Sequence, residues 1–197
     1  MKRMILCLLL PFCIPTVFAG YENGGVISEY EGFVETFSGL LQVVGEGAAD
    51  DILVRNSSRL QIHSTSIPDK DWYMGGILYI ALYDNSRLDY YGGATFALTV
   101  RNDATVYLYG GRIDAIRSLQ SSSSIKHITM VCDVDSVYYD QATRLLTGNW
   151  LDGSSFSITL VNVAPFDSTY SNIRFIPEPA TMLLLGLGGL LLRRKNK

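Results

Sequence analysis

The sequence predicts an all-β domain, and three observations carry that prediction. Short runs of Val, Ile, Leu, Thr and Tyr alternate between apolar and polar residues. Gly, Ser, Asn and Asp punctuate those runs. One ten-residue segment recurs 18 residues further on. The central chain shows almost nothing of the 3.6-residue apolar period of an amphipathic helix.

The runs come first. Leu78, Ile80 and Leu82 alternate with Tyr79, Ala81 and Tyr83. Phe96, Leu98 and Val100 alternate with Ala97 and Thr99, and Phe156, Ile158 and Leu160 with Ser157 and Thr159. Successive side chains of a strand point to opposite faces, so a period of two with one apolar face marks a half-buried strand.

The repeat sets the architecture. Asp84-Asn85-Ser86-Arg87-Leu88-Asp89-Tyr90-Tyr91-Gly92-Gly93 returns as Asn102-Asp103-Ala104-Thr105-Val106-Tyr107-Leu108-Tyr109-Gly110-Gly111. Turn residues match turn residues, Leu88 matches Val106, and the Gly pairs coincide. A weaker start, Asn56 to Ile62, lies 28 residues before the first copy and requires about ten inserted residues. A period near 18 suits one coil of a short β-solenoid, right-handed and β-helix-like: a strand, a Gly-Gly corner, a second strand and an Asn/Asp turn. Leu88, Val106 and Phe96 would then stack on equivalent positions of neighbouring coils. The alternative is a β-sandwich holding two similar hairpins.

Towards the end of the domain the pattern changes. Asp152-Gly153 is a hairpin signal between Arg144–Leu151 and Ser154–Val161, and Tyr138–Gln141 marks an earlier turn. Residues from about 125 to 176 therefore read as antiparallel strands. They cap the solenoid, whose open end would otherwise expose strand edges, or form the second half of a sandwich.

The two ends of the chain are of another kind. Lys2 and Arg3 precede an apolar run, Ile5 to Phe18, and Val17-Phe18-Ala19 suits signal peptidase. This divides the chain into a signal peptide, 1–19, a domain, 20–176, and a tail, 177–197. Cys7 lacks the small residues of a lipobox. In the tail, Pro177-Glu178-Pro179 is followed by the charge-free run Ala180 to Leu192 and by Arg193, Arg194 and Lys195. Thirteen residues at helical rise span only about 20 Å against a bilayer core of about 30 Å. The run is a marginal membrane segment, held by a basic membrane stop on the cytoplasmic side.

Pro-Glu-Pro, then Ala-Thr, then a Leu/Gly-rich run, then Arg-Arg-Lys resembles the PEP-CTERM sorting signal of Gram-negative bacteria. The resemblance covers Pro177 to Lys197. It implies export, a transient membrane stage through 180–192, and processing near the motif by an exosortase, a membrane-embedded cysteine protease. The product would reside at the cell surface or outside the cell. The resemblance implies nothing about the activity of the domain.

Removal of both ends changes the composition. Of three cysteines only Cys132 remains, which precludes an intramolecular disulfide; such a thiol is either buried or an intermolecular linker, and the apolar run Met130-Val131-Cys132 favours burial. Lys and Arg fall from 16 to 10 and Asp and Glu from 19 to 18, leaving the domain at −8. Such a domain is a poor nucleic-acid binder, because phosphate contacts need Lys and Arg.

The residues of catalysis are sparse. His63 and His127 lack zinc-ligand spacing, and no nucleophile elbow or phosphate-cradling loop is present. Asp133 and Asp135 flank Val134 and in a strand would share a face. With Asp140 they could seat Ca²⁺, or with Asp89 serve as acids in a glycan-cleaving β-helix; a plain solvated face is the simpler reading. No catalytic residue, metal ligand or cofactor is assigned. Tyr91 and Tyr109, with Tyr79, Tyr83 and Trp72 nearby, form a prospective aromatic ladder. Rings beside Asp and Asn suit carbohydrate contact, and tyrosines also simply pack in strands. The expected function is a non-enzymatic exported surface or matrix protein, associated with exopolysaccharide or adhesion. The alternative is a secreted polysaccharide lyase or hydrolase.

Overall fold

A computed structural model of the chain describes residues 18–20, 23–65, 76–121 and 126–177. Most of the expected signal peptide (1–17), Trp72, Glu178, Pro179, the apolar run 180–192 and the basic stop at Arg193, Arg194 and Lys195 lie outside the described residues.

The fold is all-β. In chain order the strands are β1 (Phe18–Gly20), β2 (Gly24–Ile27), β3 (Tyr30–Thr36), β4 (Leu40–Gly45) and β5 (Ala48–Val54). Next come β6 (Arg59–Ser64), β7 (Ile77–Leu82), β8 (Arg87–Gly92), β9 (Ala94–Arg101) and β10 (Thr105–Leu108). The last are β11 (Arg112–Leu119), β12 (Ile128–Asp140), β13 (Leu145–Trp150), β14 (Ser155–Val161) and β15 (Ile173–Ile176), the last preceded by a 3-10 turn, Thr169–Asn172.

Among β1 to β12 each strand pairs with strands two places away, not with its sequence neighbour. The hydrogen-bonded path runs β1-β3-β5-β7-β9-β11-β14-β13-β12-β10-β8-β6-β4-β2, with β15 added to β12. It is one sheet, nearly closed on itself around a single core. The odd ladder from β1 to β11 and the even ladder from β2 to β12 are parallel throughout. Arg87–Gly92 and Thr105–Leu108 are therefore parallel neighbours, not two hairpins of a sandwich.

Register explains the core. Leu41, Leu60, Leu88, Val106, Ile128 and Ile173 stand in one column of the even ladder. Val34, Ile52, Ile80, Leu98, Ile116 and Leu160 form its counterpart in the odd ladder. All are buried in one cluster. Burying a Leu or Ile contributes roughly 1.5–3 kcal/mol, and stacking like residues repeats that contribution at each level.

Turn chemistry spaces the strands. Asn56, Asp84 and Asn102 hold φ near +55° (55°, 57° and 53°) at one corner. Asn and Asp tolerate this left-handed region because their side chains hydrogen-bond locally. The three corners are tied to one another: Asp84 accepts from the Asn56 backbone N–H at 3.0 Å and from Asn102 Nδ2 at 3.2 Å. At the opposite corner Gly111 (φ 80°) has no room for a side chain, since a Cβ would fall 2.7 Å from Cε1 of Tyr90.

Two sequence expectations need correction. Phe96 does not enter the core but is 40% exposed, edge-on to Tyr79 with ring centroids 5.9 Å apart. The register of the odd ladder passes over Asp50, Leu78, Phe96 and Asp114 at one stacked level. Each strand bends there, and the inward side chains are three residues apart across the bend: Ile77 and Ile80, Thr95 and Leu98, Ile113 and Ile116. A strict period of two is lost at that level.

The second concerns the C-terminal strands. β12 pairs antiparallel with β13 and β13 with β14, turning at residues 141–144 and 151–154 rather than within Tyr138–Gln141. This hairpin joins the two ladders. Its anchor is Trp150, buried 4.7 Å from the Phe156 ring centroid, with Nε1 donating to the Gly111 carbonyl at 3.0 Å. β15, however, adds parallel to β12: Ile173 pairs with Ile128 and Ile176 with Val131.

Candidate functional site

The outward side of the even ladder carries the densest array of polar and aromatic side chains. Alternation turns Leu88 and Tyr90 inward and leaves Asp89 and Tyr91 outward. Tyr90 is fully buried, and burial pushes its hydroxyl pKa far up. Between β6 and β8 the register slips from Ile62–Tyr90 to His63–Gly92. Tyr91 is the extra residue of this bulge, a device that re-aims a side chain.

The rings then stack. His63 lies 4.3 Å from Tyr91 at 10°, and Tyr91 lies 4.7 Å from Tyr109 at 7°. Tyr91 is 39% exposed, yet each face of its ring is covered by a neighbour. What Tyr91 offers to solvent is its edge and hydroxyl. Tyr109 has its pKa raised, first by burial and then by the Tyr91 and Asp89 oxygens.

Beside the ladder sits an ion-pair cluster. Asp89 is fully buried between two partly exposed arginines: Arg59 Nε donates at 2.6 Å and Arg87 Nη2 at 2.6 Å, with Arg87 Nε also on the carboxylate at 3.1 Å. Arg87 has its pKa raised by the hydrogen bond it donates to the Asp89 carboxylate. Its guanidinium also lies 4.3 Å over the Tyr107 ring. On the other ladder Tyr83 is flanked by Arg55 at 4.7 Å and Arg101 at 5.2 Å. Sequence reading missed these arginines, because Arg59 meets Arg87 across a 28-residue step that contains the insertion.

The acidic candidates stand apart. Asp133 and Asp135 are exposed on a segment where the β12–β13 register breaks, and Asp133 Oδ1 accepts from the Asp135 backbone N–H at 3.3 Å. Asp140 serves the next turn, accepting from the Thr143 hydroxyl and the Ala142 N–H, which lowers its pKa. Asp89 aligns with Thr129, two strands away and four residues before Asp133. At ordinary strand spacing and rise that places Asp89 about 16 Å from Asp133. Among the described residues no group of three His, Cys, Asp or Glu side chains is placed to hold a metal ion. Cys132 is buried, and burial together with Asp133 pushes its thiol up to about 11.

The tail leaves from this end. Ile176 is the last residue of β15, and the exposed Pro177 follows it directly. Among the described residues no helix is long and apolar enough to cross a membrane.

A family model described as the PEP-CTERM protein-sorting motif matches residues 175–195. The match begins inside β15, at Phe175. No curated protein and no solved structure matches the chain. The motif implies export and processing of the C-terminus at the membrane by an exosortase.

Proposed function

We propose that the chain is a non-enzymatic protein of the cell surface or extracellular matrix, sorted through its tail. Signal peptidase removes residues 1–19. The run 180–192 holds the protein transiently in the membrane, Arg193, Arg194 and Lys195 stop transfer, and an exosortase-like protease acts near Pro177, Glu178 and Pro179. The domain left behind is a short β-solenoid, in which one odd and one even strand make a coil of about 18 residues and the β12–β14 hairpin is the cap.

The observation that carries this reading is the sorting motif joined without a linker to a folded edge strand. For the domain we favour a role in exopolysaccharide association or adhesion. Support comes from the outward face of the even ladder, which carries both the Tyr91–Tyr109 stack and the Arg59–Asp89–Arg87 cluster. Stacking covers the ring faces of Tyr91, so a polysaccharide would be met by hydroxyl edges and guanidinium groups, not by ring faces. Support for a non-enzymatic role comes from Asp89, whose carboxylate is enclosed by two arginines well away from Asp133 and is not free to act as an acid.

Deletion of residues 177–197 tests the sorting claim. The full chain is expected in the surface or medium fraction, and the truncated chain is expected to accumulate in the periplasm. Equal delivery of both would contradict the proposal.

A further inference from the structure

We infer that the C-terminal cap carries a lipid-contacting face, formed around Pro177 by Val134 and Leu151, which seats the domain on the bilayer before the tail is cut. The inference rests on the reading that 180–192 enters the membrane.

Chain length imposes the geometry. Pro177 is fixed by β15, whose Ile176 pairs with Val131. Only Glu178 and Pro179 separate it from Ala180, the first residue of the apolar run. Three extended residues reach about 10 Å at most. The headgroup layer of one leaflet is about 5–8 Å thick. With Ala180 at the hydrocarbon edge, Pro177 therefore stands no more than a few ångströms above the headgroups, and the surface around it must meet them.

That surface has suitable chemistry. Pro177 shares an open hollow of about 660 Å³ with Val134, Leu151, Asp133, Asp135 and Asn149. Val134 and Leu151 are 38% and 41% exposed. An aromatic group precedes Pro177 in the chain: Tyr170, 37% exposed, stacks on Tyr139 at 4.2 Å and lies 6.2 Å from Phe175, two residues before Pro177. Tyrosines with an apolar body and a polar tip favour the headgroup level. The break in register between Asp133 and Tyr138 lifts Val134 out of the ladder and gives it this exposure. The charged side chains at the rim, Asp133 and Asp135, select the lipid. They repel a strongly anionic surface and accept the ammonium groups of a phosphatidylethanolamine-type headgroup.

The test uses the mature chain, residues 20–197, carrying a fluorophore on Leu151→Cys. The comparison is Ser28→Cys, whose neighbour Ile27 lies five strand spacings, about 24 Å, from Met130 along the even ladder. Vesicles of phosphatidylcholine and phosphatidylethanolamine contain a headgroup nitroxide lipid. Flotation reads membrane attachment through the tail, and quenching reads contact of the face. The expected result is flotation of both proteins, with loss of emission at 151 and none at 28. Replacing the ethanolamine lipid by phosphatidylglycerol should restore emission at 151. Flotation without quenching at 151 would overturn the lipid-contacting face and leave the tail reading intact. Failure to float would overturn the tail reading and this inference with it.

Discussion

Ile176 stands in register with Val131, and the residue after it is the first of the sorting motif. The edge strand that completes the domain is thus also the base from which the tail departs. Anchoring of β15 should be sensitive to its inward side chain. Ile173 is buried in the column beginning at Leu41. Ile173→Ala should lower unfolding free energy by about 2–4 kcal/mol, as typical core truncations do. Denaturant titration measures it, and a change under 0.5 kcal/mol would mean that β15 is not part of the cooperative unit.

Gly111 is a tightly constrained turn position. It holds φ at +80°, and a Cβ would meet Tyr90 at 2.7 Å and the Gly93 carbonyl at 2.9 Å. Gly111→Ala should cost about 2–4 kcal/mol from strain and overpacking together. Gly153, also at positive φ (85°) but with nothing within 4 Å of a Cβ, should lose less on the same substitution.

The aromatic ladder separates packing from binding. Tyr91→Ala removes two stacked contacts, each worth about 0.5–1.5 kcal/mol, and should lower the melting temperature. Tyr91→Phe keeps both stacks and removes only the hydroxyl. Its stability should match the parent within about 0.5 kcal/mol, and its retention on immobilised exopolysaccharide should fall. Unchanged retention would assign the ladder to packing alone.

Cys132 gives a pH dependence with a definite sign. Its thiol is raised from 9.0 to about 11 in the folded chain. The unfolded chain releases this proton first, so the contribution is complete below pH 9 and is lost as pH rises towards 11. Stability should fall across that window, and Cys132→Ala should flatten the slope. A thiol reagent at pH 8 should modify Cys132 only after unfolding.

Much of this arrangement was legible in residue order. The copies at 84–93 and 102–111 placed Leu88 beside Val106, and the register agrees. The same copies placed Tyr91 against Tyr109, and the rings stack. Phe96 was not legible, because it alternates with Leu98 as well as any core residue does. A bend shared by neighbouring strands at one level is a property of the stack, invisible in a single run. The Arg59–Asp89–Arg87 cluster depends on a register that crosses an insertion. The direction of β15 depends on which partner it finds, and four residues do not encode that. The short motif at the tail was legible because its three parts are contiguous.

The intact mass of the protein from surface and culture fractions of its host tests sorting most directly. The account predicts a chain that begins at Gly20 and lacks the residues beyond the Pro177–Pro179 region. Added mass at the new end would identify a transferred anchor. A chain that begins at Gly20 and still carries Lys197 would contradict processing and leave the tail a plain membrane anchor.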